Sequence, residues 1–221
     1  MSATGATGLR VVPAHEASWE DLQTVFGARG QARRCQCQRY KLSPNESFAS
    51  FSVEERAHRL CRQTDSGNPG ADRTSGLVAY ADGEPVGWCA VEPRAACTGL
   101  VRSGQVPWAG RSEDRSDPTV WAVTCLFTRA GFRKRGVSRA LVDACVEHAR
   151  RGGARALEAY PMSTTDAVVE ELHVGLERVF AAAGFTVVSR PTTRRCVMCV
   201  MFSAAQDEAR ARPGAVPPSA G

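Results

Sequence analysis

The feature that most constrains this chain is a change of hydrophobic period within one continuous stretch. Residues 119–128 (Thr-Val-Trp-Ala-Val-Thr-Cys-Leu-Phe-Thr) are rich in β-branched and aromatic side chains and read as a strand. Shortly afterwards, apolar residues at Val137, Ala140, Leu141, Ala144 and Cys145 follow the i, i+3, i+4, i+7, i+8 spacing of an amphipathic helix over residues 136–151. Gly152 and Gly153 stop that helix, and residues 154–160 return as a strand. A strand, turn, helix, strand unit commits the chain to a mixed α/β fold.

The flanking segments extend this pattern. Residues 8–12 predict a short strand, and residues 15–28 a helix with Trp19, Leu22, Val25 and Phe26 on one side. Residues 32–51 show no clear period and are expected to be a loop or a broken helix. Residues 52–64 predict a helix with Ser52 as N-cap and Glu55 as its reciprocal partner. Asp82-Gly83 between the apolar runs 76–80 and 85–91 predicts a hairpin. Residues 92–118, rich in Arg, Gly, Ser, Asp and Pro, predict a long surface excursion that borders a substrate site. A second amphipathic helix carries Leu172, Leu176, Val179, Phe180 and Ala183 and ends at Gly184, before a closing strand pair over 185–189 and 194–202.

These elements divide the chain into a flexible N-terminus (1–7), one domain (8–202) and a disordered tail (203–221) whose Ala, Arg, Pro and Gly cannot bury enough surface to offset chain entropy. No run approaches the ~20 apolar residues of a membrane span. The first residues lack a basic start and an apolar stretch, so a cytoplasmic location is expected. The formal net charge is +5, and Lys41 and Lys134 are the only lysines. That charge is too modest for a nucleic-acid binder, so neither a nucleic acid nor a membrane is expected as partner. The nine cysteines are read as thiols, mostly buried as small hydrophobes. Cys35 and Cys37 with Cys196 and Cys199 do not make a zinc site, because an offset of three in a strand points side chains to opposite faces. Trp88, Trp108 and Trp121 are read as core residues rather than the walls of an acceptor pocket.

The chemistry lies between the strand and the helix, in Arg133-Lys134-Arg135-Gly136-Val137-Ser138, with Arg139 following. Glycine lets the backbone approach a ligand, the first amides of a helix have no internal partner, and the helix dipole favours an anion there. Arginines on the rim add charge-assisted hydrogen bonds to phosphate oxygens. The sequence therefore predicts an anion cradle. Neither a Walker loop nor a dinucleotide fingerprint is present.

With Arg133 first, Gly136 fourth and Ser138 last, this loop resembles the phosphate loop of the GNAT superfamily of acetyltransferases, although Ser138 stands where that family has Gly or Ala. The resemblance extends over residues 77–202 and includes the helix ending in Ala183-Gly184-Phe185. It implies a mixed, mostly antiparallel central sheet flanked by helices, with strands 119–128 and 154–160 splayed apart. The pantetheine arm of acetyl-CoA would enter that gap against backbone groups of Leu126 and Thr128. Arg133, Lys134, Arg135, Gly136, Val137, Ser138 and Arg139 would hold the pyrophosphate. A bulky residue in place of Gly136 is expected to weaken that hold by filling the pyrophosphate space. The implied reaction is direct attack of an amine, on a small molecule or a protein, upon the thioester, by a monomer or homodimer. The alternatives are a non-catalytic acyl-CoA sensor and an enzyme using a longer acyl chain.

Period-two alternation sends Glu158 and Tyr160 to one face of strand 154–160. If that face opens into the cleft, Glu158 is the candidate base. The family's usual tyrosine acid is replaced here by Phe180, which makes Tyr160 the nearest substitute. His173 is a weaker candidate base, and His148, late in its helix, is expected to complement the helix dipole.

Overall fold

A computed structural model describes residues 8–104, 106–166 and 172–202. The expectations for segments 1–7 and 203–221 lie outside these residues. Seven strands form one sheet: β1 (Leu9–Pro13), β2 (Gly76–Ala81), β3 (Glu84–Pro93), β4 (Val120–Thr128), β5 (Ala156–Ala159), β6 (Thr186–Ser189) and β7 (Val197–Met201). Their order is β1-β2-β3-β4-β5-β7-β6, antiparallel throughout except for the parallel pair β4 and β5. The hairpin forms as expected. Asp82 (φ 49°) and Gly83 (φ 85°) both take the left-handed conformation that a two-residue type I′ turn requires.

Helices cover both faces of the sheet, which is why β2 reads as an unbroken apolar run, with all six of its residues buried. Leu77, Ala79 and Ala81 join Val137, Leu141, Val142, Cys145 and Ala149 of α5 (Val137–Arg151). Val78 and Tyr80, with Trp88 and Ala90 of β3, face Leu22, Val25 and Phe26 of α1 (Trp19–Phe26) and Leu60 of α3 (Val53–Thr64). Between α1 and α3 runs α2 (Gly30–Cys35), so the segment without a period contains a short helix.

Local chemistry moves several predicted boundaries. Ser18 is extended and accepts a hydrogen bond from the Asp21 amide at 3.0 Å, so α1 starts at Trp19 and the residues before it form a 3-10 turn, Ala14–Glu16. Ser52 caps α3 by accepting from the Glu55 amide at 3.1 Å, but the Glu55 carboxylate is engaged by Arg59 rather than returning to the cap. The second amphipathic helix is only α6 (Glu177–Ala181). Gly175 (φ 80°) and an extended Leu176 interrupt its start, and that segment pairs instead with Met162, whose amide donates to the Gly175 carbonyl at 3.0 Å.

The excursion after β3 is a packed structure rather than a loose loop. It contains α4 (Thr98–Val101) and closes around the buried Trp108, whose indole N–H donates to the Leu100 carbonyl at 2.8 Å. Arg94, Arg111 and Arg115 surround that ring at 5.0, 5.1 and 4.8 Å from its centroid. Trp88 is core, whereas Trp121 is partly exposed and meets His148 edge-on at 5.6 Å. Burial pushes the His148 pKa down, which suits this packed neutral ring and not the charged dipole partner expected from its position.

Candidate active site

The parallel pairing of β4 with β5 covers only Val120↔Ala156 to Val123↔Ala159. At that point the register of β4 against β3 skips Thr124: Val91 pairs with Val123, and Ala90 with Cys125. The resulting bulge bends β4 away from its parallel neighbour. Beyond β5 the chain turns to the 175–177 segment, the Glu177 amide donating to the Met162 carbonyl at 2.9 Å. The last residues of β4 therefore border a cavity of about 680 Å³ instead of a strand.

The cavity wall joins the end of α1, α2 with the bend after it, the end of β4, the turn into α5 and the 173–179 segment. Leu126 and Thr128 come from β4, Arg133 and Ser138 from the turn into α5, and Cys35, Cys37 and Arg39 from the end of α2 and the bend after it. Arg29, Arg39, Arg129 and Arg133 line it, and no Asp or Glu is among its described lining residues. None of residues 92–118 is among them either, so the excursion lies apart from this cavity.

The turn itself is exposed from Arg133 to Gly136. Lys134 (φ 63°) and Gly136 (φ 81°) are left-handed, and Gly136 is the N-cap of α5. The Ala140 amide donates to the Gly136 carbonyl at 3.0 Å, leaving the amides of Val137, Ser138 and Arg139 without intrahelical partners. A Cβ on Gly136 would meet only Leu9 Cδ1, at 3.9 Å. Glycine is favoured there by its positive φ, and the space beside it is open on the protein side.

The other predicted loop residues differ in what they can contribute. The Val137 side chain is buried in the core, so only its amide is available. Ser138, the atypical member of the loop, has a use: its hydroxyl lies 3.1 Å from that of Thr128 and ties the helix start to the end of β4. Arg135 and Arg129 lie over the Phe132 ring at 5.2 and 5.3 Å. Arg139 is turned toward the C-terminal end of α6, donating to the Ala182 carbonyl at 3.2 Å and pairing with Asp143 at 3.5 Å.

Glu158 and Tyr160 do share a face, but that face is covered by the Arg94–Arg115 excursion. The Glu158 side chain is 6% exposed and forms ion pairs with Arg94 at 3.1 Å and with Arg111, whose own side chains are 1% and 9% exposed. Tyr160 is fully buried and donates its hydroxyl to Glu158 at 2.8 Å. Burial and the adjacent carboxylate raise its pKa well above that of a free phenol. Neither residue lines the cavity. Phe180 is buried edge-on against Phe185 at 5.3 Å. His173 does line the cavity, beside Tyr40 with ring centroids 6.3 Å apart.

Sequence reasoning missed Cys37, Cys125, Arg29 and Arg39 as cavity residues. Period two could have flagged Cys125, which shares a face with Phe127, another cavity residue. The segment around Cys37 has no period, and nothing local shows that it folds back onto β4.

The model of the acetyltransferase (GNAT) family matches residues 33–174, more than half of the chain. Among solved structures the chain is similar to the PaiA N-acetyltransferase of Thermoplasma acidophilum in complex with coenzyme A, at 12% identity over 88% of this chain and 99% of that one, with a TM-score of 0.50. It is also similar to YncA, a putative acetyltransferase of Salmonella typhimurium with its cofactor acetyl-CoA, at 16% identity over 96% and 100%, with a TM-score of 0.49. A third is a GCN5-related N-acetyltransferase from Kribbella flavida, at 18% identity over 88% and 98%, with a TM-score of 0.48. These likenesses concern the fold. No curated protein matches the chain.

Proposed function

The chain belongs to the acetyltransferase (GNAT) family, whose members take acetyl-CoA as donor, and from that premise we propose that it acetylates a primary amine by direct attack on the thioester. One observation carries this reading: the exposed, glycine-capped start of α5 edges the same cavity as the splayed end of β4. The free amides of Val137, Ser138 and Arg139 receive the pyrophosphate, with Arg133, Lys134 and Arg135 supplying charge at the rim. Gly136 keeps the bend open. Backbone groups of Leu126 and Thr128 take the pantetheine arm, and an amide there polarises the acyl carbonyl as negative charge develops. The all-basic charged lining suits a donor with several phosphate charges.

The amine nitrogen forms the new bond to the acyl carbon as the carbon–sulfur bond breaks. Its surplus proton goes to His173, the base candidate that faces the cavity. Glu158 and Tyr160 act as positioning residues for the arginine-rich excursion. The CoA thiolate then leaves without a protein acid, which its low basicity relative to an alkoxide permits.

Isothermal titration with acetyl-CoA and CoA tests the cradle, and no heat at millimolar ligand removes the proposal. The burial of Tyr160 and the presence of Phe180 favour one second reading, a non-catalytic acyl-CoA sensor. Release of free thiol with a panel of amines decides between the two. Binding without release under any amine selects the sensor.

A further inference from the structure

Three cysteines, Cys35, Cys37 and Cys125, stand in the cavity wall, and the proposed acetyl transfer uses none of them. Cys37 is held in place from both sides. Its neighbours Gln36 and Gln38 are buried, and each forms a reciprocal amide pair across the helices: Gln36 with Gln23 at 3.0 and 3.1 Å, and Gln38 with Gln63 at 2.8 and 3.2 Å. Gln36 (φ 46°) and Cys37 (φ 56°) are both left-handed, which ends α2 and packs Cys37 against the cluster that contains Trp88 and Cys125. The Trp88 indole N–H donates to Cys37 Sγ at 3.3 Å. Cys125, on β4, packs against the same apolar cluster and lines the same cavity.

We propose that Cys37 and Cys125 are an oxidisable thiol pair in the cavity wall, with Cys37 the nucleophile toward a hydroperoxide and Cys125 the resolving thiol. The Cys125 thiol first, and the Trp88 N–H after it, hold the Cys37 pKa down against burial, which pushes it up. Cys125 is pushed the opposite way. Burial raises the Cys35 pKa, which sets that thiol apart from Cys37. Cys89 and Cys145 also touch, at 3.1 Å, but both are fully buried in the core and neither lines the cavity.

In the reaction the Cys37 sulfur attacks one oxygen of hydrogen peroxide. The O–O bond breaks, and the departing hydroxide takes a proton to become water. The Cys125 sulfur then attacks the sulfenic sulfur, the S–O bond breaks, and a second water leaves with the Cys125 proton. Two thiols lose two electrons and one peroxide gains them. The disulfide fastens the bend after α2 to β4 beside Leu126. This consequence rests on the acetyl-CoA reading, since Leu126 is where the proposed donor arm lies, so bound donor shields the pair.

The test treats the reduced full chain with hydrogen peroxide and maps its tryptic peptides. The expected product links the peptide 35–39 to the peptide 116–129. Cys35→Ser retains the link and Cys37→Ser abolishes it, whereas Cys125→Ser stops at a Cys37 sulfenic acid captured by dimedone. Without oxidant, iodoacetamide should alkylate Cys37 at least about tenfold faster than the half-buried Cys61. Absence of the link in the parent chain, or its persistence in Cys37→Ser, overturns the proposal. Saturating acetyl-CoA should slow the linkage. If the link forms equally fast with donor present, the thiol pair stands and the placement of acetyl-CoA falls.

Discussion

Replacing Glu158 with Gln separates a positioning role from a catalytic one, because the two roles predict opposite results. The carboxylate neutralises Arg94 and Arg111 where their side chains are only 1% and 9% exposed, and it accepts the Tyr160 hydroxyl. Glutamine keeps the shape but removes the charge, and its amide directs donors at groups that are themselves donors. Breaking a buried ion pair by removing one partner costs about 3–5 kcal/mol, because the remaining charge stays buried. Arg94 retains other bonds, to the carbonyls of Asp114 and Arg115, which hold it in place and prevent its escape to water. For a domain of this size about 1 kcal/mol shifts the melting temperature by roughly 2–4 °C, so Glu158→Gln should melt roughly 6–20 °C below the parent. Circular dichroism melts and urea titration read this directly. Well below the transition, turnover per folded molecule should stay within a few-fold of the parent. A variant that melts within about 2 °C of the parent yet loses about a hundredfold or more in kcat refutes the argument and restores Glu158 as the base.

Gly136→Ala should weaken acetyl-CoA binding about 5–30-fold with little change in melting, since a left-handed alanine costs about 1–2 kcal/mol and the free loop escapes it by leaving the binding geometry. An unchanged Kd by titration calorimetry speaks against the cradle. His173→Ala should lower kcat about a hundredfold and leave the Kd for acetyl-CoA intact, with partial recovery in added imidazole; an unaltered kcat moves the proton elsewhere. The Glu177 carboxylate is held down to about 2 by Arg190 first and Ser163 next. A depressed carboxylate stabilises the fold above its ordinary value of 4.5 and loses that contribution as pH falls toward 2. Both partners are exposed enough for solvent to screen the pair, so the effect is small, and Arg190→Ala should flatten the acid limb of a stability–pH curve. An identical limb in the variant rules the pair out as its cause.

The fold was largely legible because its signals are local. The hairpin needed only Asp82-Gly83, and α5 needed only its apolar spacing and the glycines around it. The second helix was misjudged because its apolar spacing is genuine while its conformation is set from outside: Met162, distant in sequence, pairs with residues 175–177 and holds them extended. The same physics explains the site. The cradle at Gly136 depends on a short segment, and its residues announce it. Glu158 depends on Arg94 and Arg111, which approach from a segment with no period, so alternation placed it on the right side of β5 without showing that side covered. Cys37 is the extreme case. Its environment comes from Trp88 and Cys125 on two other strands and from glutamine pairs reaching α1 and α3, none of which leaves a trace in the residues beside it. What a single sequence can reveal of a site is therefore bounded by how much of that site one segment supplies.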